Sequence, residues 1–433
     1  MHKDILKLSI PNILTNITVP LLSMVDLHLM GYLDSELFLG AVTLGGVIFN
    51  FVYWGFGFLR MSLSGIAAQA YGRKNNNEMA MVLFRGMAIA VLGSLLLLLF
   101  QGAIEKLGFA LLGGSPEVTE LARSYYYVRI WAAPAAIALM VINGWFLGMQ
   151  NALYPMLIAV TINLINIACS FILVREFGME ERGVAFGSVI AQYTGLLLAA
   201  GLFLKKYRAV LNYFKVKAIF VVAELKSFLN ISGDISVRIW CVVAVFTFFT
   251  SESAEYGDVA LAANSVLLQF LFLFSYFLDG FAYAAEAIVG KHFGASNKTK
   301  LIEASKKLFY WGVFFGLSFT LAYYFGGNWM LNVFTNNQSV IDEAEKYMPW
   351  LIFIPIASFA SYIWDGIYIG ATASKAMRNT MLVSSILFFF VPYYFFYHYM
   401  GVHALWMSML LFMLSRGITQ TVLAKRAVYA KLV

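Results

Sequence analysis

The 433-residue sequence predicts an all-α membrane protein of twelve transmembrane helices, arranged as two six-helix lobes related by a parallel repeat. Three observations carry this expectation: a composition too apolar for a soluble chain, a series of apolar runs of spanning length, and motifs that return at a fixed interval. Of the residues, 61% are hydrophobic and only 12% are charged, whereas soluble proteins carry roughly 25% charged residues.

Runs long enough to cross the hydrocarbon, about 20 residues each, lie near 9–31, 37–70, 81–104, 121–149, 155–174 and 184–204. A second set lies near 227–250, 259–290, 305–333, 347–371, 379–398 and 402–424. In lipid, backbone polar groups must be satisfied within the segment or within a closed barrel, and runs this long and uniformly apolar are helices rather than barrel strands. The opening MHKDILKLSIPNILTNITVP has basic residues ahead of an apolar run. That run contains Asp26 and no small-residue cleavage site, so it is expected to be the first span rather than a removed leader.

The net charge of +7 does not form a nucleic-acid patch, and no such partner is expected. Lys3, Lys7, Arg73, Lys74, Lys205, Lys206, Lys298, Lys306, Lys375, Arg378, Lys425 and Arg426 fall in alternate connections of the twelve-span scheme. Acidic residues such as Glu117, Glu180, Glu255 and Asp342 fall in the others. By the positive-inside rule the basic side is cytoplasmic, which places both termini inside. The expected location is a bacterial inner (plasma) membrane, crossed many times. Cys169 and Cys241 lie in apolar spans and are assigned to packing. His2, His28, His292, His398 and His403 are scattered, and no HExxH pair or GxSxG elbow is present. Neither an enzyme nor a resident cofactor is therefore expected.

An internal repeat is legible directly. GIAAQAYGRKNN at 65–76 parallels AIVGKHFGASNK at 287–298, and NGWFLG at 143–148 parallels DGIYIG at 365–370. The offsets agree, since 287 − 65 = 222 and 365 − 143 = 222. Six spans is an even number, so the halves enter the membrane in the same sense. The expected division is an N-terminal lobe at 1–204, a basic cytoplasmic linker at 205–226 and a C-terminal lobe at 227–433. Two lobes around a central site suit alternating access, which favours a carrier over a channel.

Ionisable residues inside spans are costly, and usually face a bundle interior or a water-filled cavity. In the first half they are Asp26 and Arg60, with the amides Asn16, Asn143, Asn163 and Asn166; in the second, Asp234, Arg238, Asp279, Glu286 and Asp365. Arg60 and Arg238 are read as the two basic residues well inside spans. At a rise of about 1.5 Å per residue, Asp26 lies about 8 Å below the outer end of its span, and Ser170 and Ser188 about 6 Å below theirs. With Asn166 one turn below Ser170, these four could form an oxygen cage for a proton or Na⁺, or a polar cluster that binds helices together. Arg238 and Asp279 fall at a common depth, with Glu286 two turns from Asp279 on one helical face. With Asp365 and Asp234 they form a candidate network that binds a cationic substrate, relays protons or closes an inner gate with Arg60. The alternative is ion pairing for insertion and packing. Pro11, 15 residues before Asp26, is a candidate kink that moves it.

The stretches SIPNILTNITVPLLSMVDLHLMGYLDS, FLRMSLSGIAAQAYGRKN, SVRIW, SYFLDGFAYAAEAIVGKHFGA and DGIYIGATASKAMRN resemble the multidrug and toxic compound extrusion (MATE) transporters, specifically their DinF branch. The resemblance covers nearly the whole chain. It implies twelve helices in two six-helix lobes and multidrug efflux of amphipathic, often cationic compounds by antiport against H⁺ or Na⁺, with no other cofactor. It also implies that Pro11 and Asp26 are the first-helix proline and aspartate of the family, Asn166 its fifth-helix asparagine, and Ser188 its sixth-helix threonine. Ser170 departs from the pattern, standing where the family usually has a second aspartate. One anionic ligand is thereby missing, which tilts the expected coupling towards protons. The expected partners are small organic molecules and membrane lipid, for a monomer. A flippase for a lipid-linked or amphipathic lipid is the alternative, disfavoured because its anionic substrate calls for more in-span cations.

Overall fold

The computed structural model describes residues 1–31 and 36–432, without the side chains of residues 19, 21–24, 26–31, 36, 431 and 432. Among the described residues every regular element is helical. In chain order these are α1 (His2–Gly31), α2 (Glu36–Gly72), α3 (Asn76–Leu99), α4 (Gln101–Leu112), α5 (Pro116–Arg129), α6 (Ala133–Gly148), α7 (Leu153–Arg175) and α8 (Glu180–Tyr207). There follow α9 (Val216–Ile219), α10 (Val222–Glu255), α11 (Asp258–Gly294), α12 (Lys298–Phe334), α13 (Gln338–Gly370), α14 (Ser374–Ser385), α15 (Val391–Met400) and α16 (Val402–Ala427). A five-residue π-helical segment, Ile386–Phe390, joins α14 to α15 ahead of Pro392. Proline removes a helical donor and its ring crowds the preceding turn, which a wider turn relieves.

Eleven spans among the described residues are long and apolar enough to cross a membrane. The twelfth expected span corresponds to α1, several of whose side chains are outside the described residues. The third span was expected to reach residue 104, but α3 ends at Leu99 and α4 begins at Gln101. Hydropathy alone does not register this break, because the sequence stays apolar across it.

The chain folds into two compact units, one of Leu14–Phe228 and a second made of Met1–Ile13 with Leu229–Val433. The division falls two residues beyond the 205–226 stretch read as a linker, and it assigns the first thirteen residues to the second unit. In the first unit α6 is the most enclosed helix, packed by α2, α3 and α8; in the second it is α13, packed by α11, α12 and α16. Cys169 and Cys241 are free thiols, each half-buried.

The repeat is written into the backbone. Lys74 and Ser296 take left-handed φ angles of 56° and 53°, and Gln150 and Thr372 do the same at 61° and 48°. The offsets are 296 − 74 = 222 and 372 − 150 = 222. Asn75 Oδ1 caps α3 by accepting from the Glu78 amide at 3.1 Å, and Asn297 Oδ1 caps α12 by accepting from the Lys300 amide at 3.0 Å. Side-chain acceptors of this kind satisfy orphan donors at helix starts.

Glycines set the closest helix contacts in the same register. A Cβ at Gly144 would lie 2.4 Å from the Arg60 carbonyl oxygen, and one at Gly366 would lie 2.2 Å from that of Ala282. Only glycine permits this approach of α6 to α2, and of α13 to α11.

Candidate functional site

In the first unit, α7 presents Asn166 and Ser170 one turn apart, both buried, towards Ser188 on α8. A Cβ at Gly187 would lie 2.3 Å from Ser170 Oγ, so the two helices meet there at nearly backbone distance. Asn166 Nδ2 donates to Ser188 Oγ at 2.9 Å. Ser170 Oγ is buried with no hydrogen-bond partner among the described residues. Asn163 Nδ2 donates to the Thr18 carbonyl at 3.3 Å, tying α7 to α1. Asp26 lies on α1 eight residues beyond Thr18, and its side chain is outside the described residues.

Arg129, absent from the expectations drawn from the sequence, stands in this cluster. Its Nη1 donates to Ser188 Oγ at 3.1 Å and also to the Tyr125 hydroxyl. The guanidinium carbon lies 5.4 Å from the ring centres of both Phe49 and Tyr125. Aromatic faces at that distance stabilise a cation in a low-dielectric setting. Ser188 Oγ therefore already accepts two donors, one of them cationic. Asn143 Oδ1 on α6 is buried without a partner among the described residues, and Arg60 is half-buried on the neighbouring α2.

In the second unit, Asp365 on α13 is the hub. It accepts from Arg416 Nη2 at 2.6 Å, from Gln420 Nε2 at 2.7 Å and from Arg238 Nη2 at close contact. Arg416 and Gln420 are one turn apart on α16, and both are buried with Asp365. Arg416 also lies 5.3 Å from the Phe412 ring centre. Glu286 is buried on α11 and Asp279 is half-buried on the same helix; both lie within electrostatic reach of Arg238. These five groups comprise three carboxylates and two guanidiniums. The ion pairs and hydrogen bonds offset the cost of desolvating these groups, whereas stripping one partner leaves an uncompensated charge.

Asp234, grouped with this network by sequence depth, does something else. It accepts from Ser374 Oγ at 2.8 Å and Arg378 Nη1 at 2.6 Å, which pins the start of α14 to α10.

One expectation from the sequence is corrected. Arg60 and Arg238 are not the only cations well inside spans: Arg129 lies in the Pro116–Gly148 span and Arg416 in Val402–Ala427. The signal for Arg416 was present in MLLFMLSRGITQ, a single charge within an apolar run. Arg129 was masked by neighbouring tyrosines that lower the local hydropathy and make the stretch read as a span entrance. Among the described residues, no three His, Cys, Asp or Glu side chains come together in a way that could hold a metal ion.

Comparison with known proteins agrees with this architecture. The MatE family model matches residues 11–172 and again 235–395, one match in each half of the repeat. The DNA damage-inducible protein F of Escherichia coli (strain K12) is 32% identical over 98% of this chain and 92% of its own length. A probable multidrug resistance protein NorM of Rhizobium meliloti (strain 1021) is 26% identical over 72% of this chain and 67% of its own. Among solved structures, a MATE protein in the bent conformation superposes with a TM-score of 0.89 at 17% identity, covering 99% of this chain and 96% of that one. The Vibrio cholerae MATE transporter VcmN in the bent form gives 0.88 at 16% identity, covering 99% and 97%. The chain therefore belongs to the MatE family of multidrug and toxic compound extrusion transporters, in its DinF branch.

Proposed function

We propose that this protein is a proton-coupled antiporter that exports small amphipathic, often cationic, organic compounds by alternating access of two lobes, residues 1–204 and 227–433, joined by the linker 205–226. It works as a monomer in a bacterial inner membrane with both termini in the cytoplasm. Lys74, Lys205, Lys298, Lys375 and Lys425 occupy alternate inter-helix connections or the helix turns beside them, which supports that orientation.

The observation that carries the choice of ion is Arg129 donating to Ser188 Oγ beside Asn166. A Na⁺ site needs several oxygens directed at the ion. Here one of those oxygens is turned towards a fixed cation, and Ser170 supplies a hydroxyl rather than a second carboxylate. A proton on Asp26 needs no such cage. In the proposed cycle Asp26 takes up a proton from outside, which discharges it and favours one arrangement of the lobes. Pro11 acts as the flexible point, and α1 passes from one compact unit to the other between Ile13 and Leu14, two residues beyond it. Exchange of one proton for a monovalent cation is electroneutral and draws on the pH gradient, about 1.4 kcal/mol or tenfold accumulation per pH unit; with a neutral compound the inward charge adds roughly 2.3 kcal/mol per 100 mV. Asp279, Glu286 and Asp365, with Arg238, form the anionic wall that receives a cationic substrate, and Arg60 and Asn143 are the first lobe's contribution to the substrate path.

The added in-span arginines bear on the flippase alternative. Arg238 and Arg416 are both engaged by Asp365, and Asp279 and Glu286 also lie within electrostatic reach of Arg238. That arrangement supports a cationic cargo over an anionic lipid.

The direct test is transport of a fluorescent organic cation in proteoliposomes under an imposed pH gradient, with and without Na⁺. Wild type responds to pH and not to Na⁺, and Asp26→Asn reduces pH-driven transport at least tenfold. Unchanged transport in that variant rejects Asp26 as the coupling group.

A further inference from the structure

A groove of about 760 Å³ opens between α12, α13 and α16; its Trp364 and Thr421 are the chain neighbours of Asp365 and Gln420. Its floor is aromatic, with Phe309, Trp364 and Tyr429, and its rim carries Lys298, Lys306 and Lys425. The Trp364 indole is locked, donating to Thr421 Oγ1 at 2.7 Å and lying 5.1 Å from Phe309 by ring centres. All three lysines are exposed, and none pairs with a carboxylate among the described residues, although Lys307 next door pairs with Glu303 at 2.5 Å.

The internal repeat shows that the fold does not require this arrangement. Subtracting 222 carries Lys306 to Phe84, Lys425 to Phe203 and Tyr429 to Tyr207. In the first unit those positions are packed with hydrocarbon: Phe84 lies 4.8 Å from Phe214, and Phe203 and Tyr207 lie 5.6 and 5.0 Å from Trp145. The second unit has exchanged two phenylalanines for lysines around a tyrosine that it keeps. A rim of unpaired cations over an apolar aromatic floor, at one end of helices long enough to span a membrane, is complementary to an amphiphile with an anionic head.

We infer that this groove binds an anionic phospholipid, its phosphate held by Lys298, Lys306 and Lys425 and its upper acyl chain lying on Phe309 and Trp364. Lys298 opens α12, Lys306 is about two turns further along it, and Lys425 is in the last turn of α16, so all three sit at the depth of a headgroup. Basic residues near a membrane surface each add measurably to attraction for anionic lipid. The inference requires only that these helices cross the bilayer, and stands or falls apart from the transported compound and the coupling ion.

The test is native mass spectrometry of the full-length chain in neutral detergent with phosphatidylglycerol, with phosphatidylcholine of the same acyl chains, or with inorganic phosphate. Wild type is expected to retain phosphatidylglycerol at least tenfold more tightly than phosphatidylcholine. Lys306→Gln with Lys425→Gln should weaken phosphatidylglycerol roughly thirtyfold and leave phosphatidylcholine unchanged. Ile302→Trp, which fills the groove without changing charge, should also weaken it. Lys205→Gln with Lys215→Gln, the same charge change at exposed positions elsewhere, should bind as wild type. Equal loss in that control pair would reduce the effect to general surface charge. Normal binding by Ile302→Trp, or displacement of the lipid by equimolar inorganic phosphate, would likewise overturn the site.

Discussion

Asn143 on α6 and Asp365 on α13 hold the same position in the two halves, 365 − 143 = 222, yet Asp365 accepts from three side chains while Asn143 Oδ1 is buried with no partner among the described residues. Each is followed by a glycine pressed against a facing carbonyl, so the backbone scaffold is common and the electrostatics are not. A neutral amide tolerates that place alone. A carboxylate there needs cations, and α10 and α16 supply them.

Asp365→Asn should therefore leave Arg238 and Arg416 buried against a neutral group. A loss of about 3–5 kcal/mol is expected, the usual result of removing one partner from a buried ion pair. Thermal unfolding in detergent measures it, and adding Arg416→Met should recover part of the loss. No recovery would mean that Arg416 is held mainly by contacts other than Asp365.

Arg129→Gln removes a charged donor from Ser188 and Tyr125. Hydrogen bonds to charged groups contribute about 1.5–3 kcal/mol, so a moderate loss of stability is expected together with at least a tenfold fall in pH-driven transport. Arg129→Lys keeps the charge without the forked geometry, and should retain more transport than Gln. Equal activity in wild type and Arg129→Gln would remove this side chain from the coupling site.

Gly144→Ala and Gly366→Ala should each destabilise the protein by about 1–3 kcal/mol, because a Cβ at either place meets a carbonyl oxygen and one packed helix must shift. Gly46→Ala, also helical but with nothing within 4 Å, should be neutral or stabilising by up to about 1 kcal/mol. Chemical or thermal unfolding of the three variants side by side separates the effect of close approach from helix propensity.

Gln150→Gly and Thr372→Gly should stabilise the two equivalent turns by up to about 1 kcal/mol each, since both native residues hold left-handed backbone that glycine adopts freely. Thr372 should show the larger gain, because a branched Cβ is the more strained there. A loss of stability at both sites would show that side-chain contacts outweigh the backbone relief.

Much of this architecture was legible in the sequence, because bilayer physics leaves few choices. Apolar runs have to be helices, and repeated motifs such as NGWFLG and DGIYIG fixed an offset that the positive φ angles at Gln150 and Thr372 reproduce. Helix limits were less legible: nothing in hydropathy separates α3 from α4, because the chain stays apolar through Phe100. Depth set Ser170 level with Ser188 and Asn166 one turn lower, yet Asn166 is the one that hydrogen-bonds Ser188, while Ser170 Oγ packs against Gly187 without a partner among the described residues. A count of residues from span ends ignores helix tilt and side-chain reach.

Partners in azimuth were another matter. Depth placed Asp234 with Asp365, but the structure turns Asp234 to Arg378 at the head of α14 and gives Asp365 to Arg238, Arg416 and Gln420. Arg129 meets Ser188 across 59 residues of chain, a pairing that no local pattern encodes. The sequence by itself determined which segments are apolar enough to span, at what interval the plan repeats and most of the costly groups inside, Arg129 and Arg416 excepted, because solvation and periodicity act on each segment alone. Which of those groups meet depends on the rotation of each helix about its axis. That is set by packing against its neighbours, through contacts such as Gly187 on Ser170, and is decided only when the whole bundle forms.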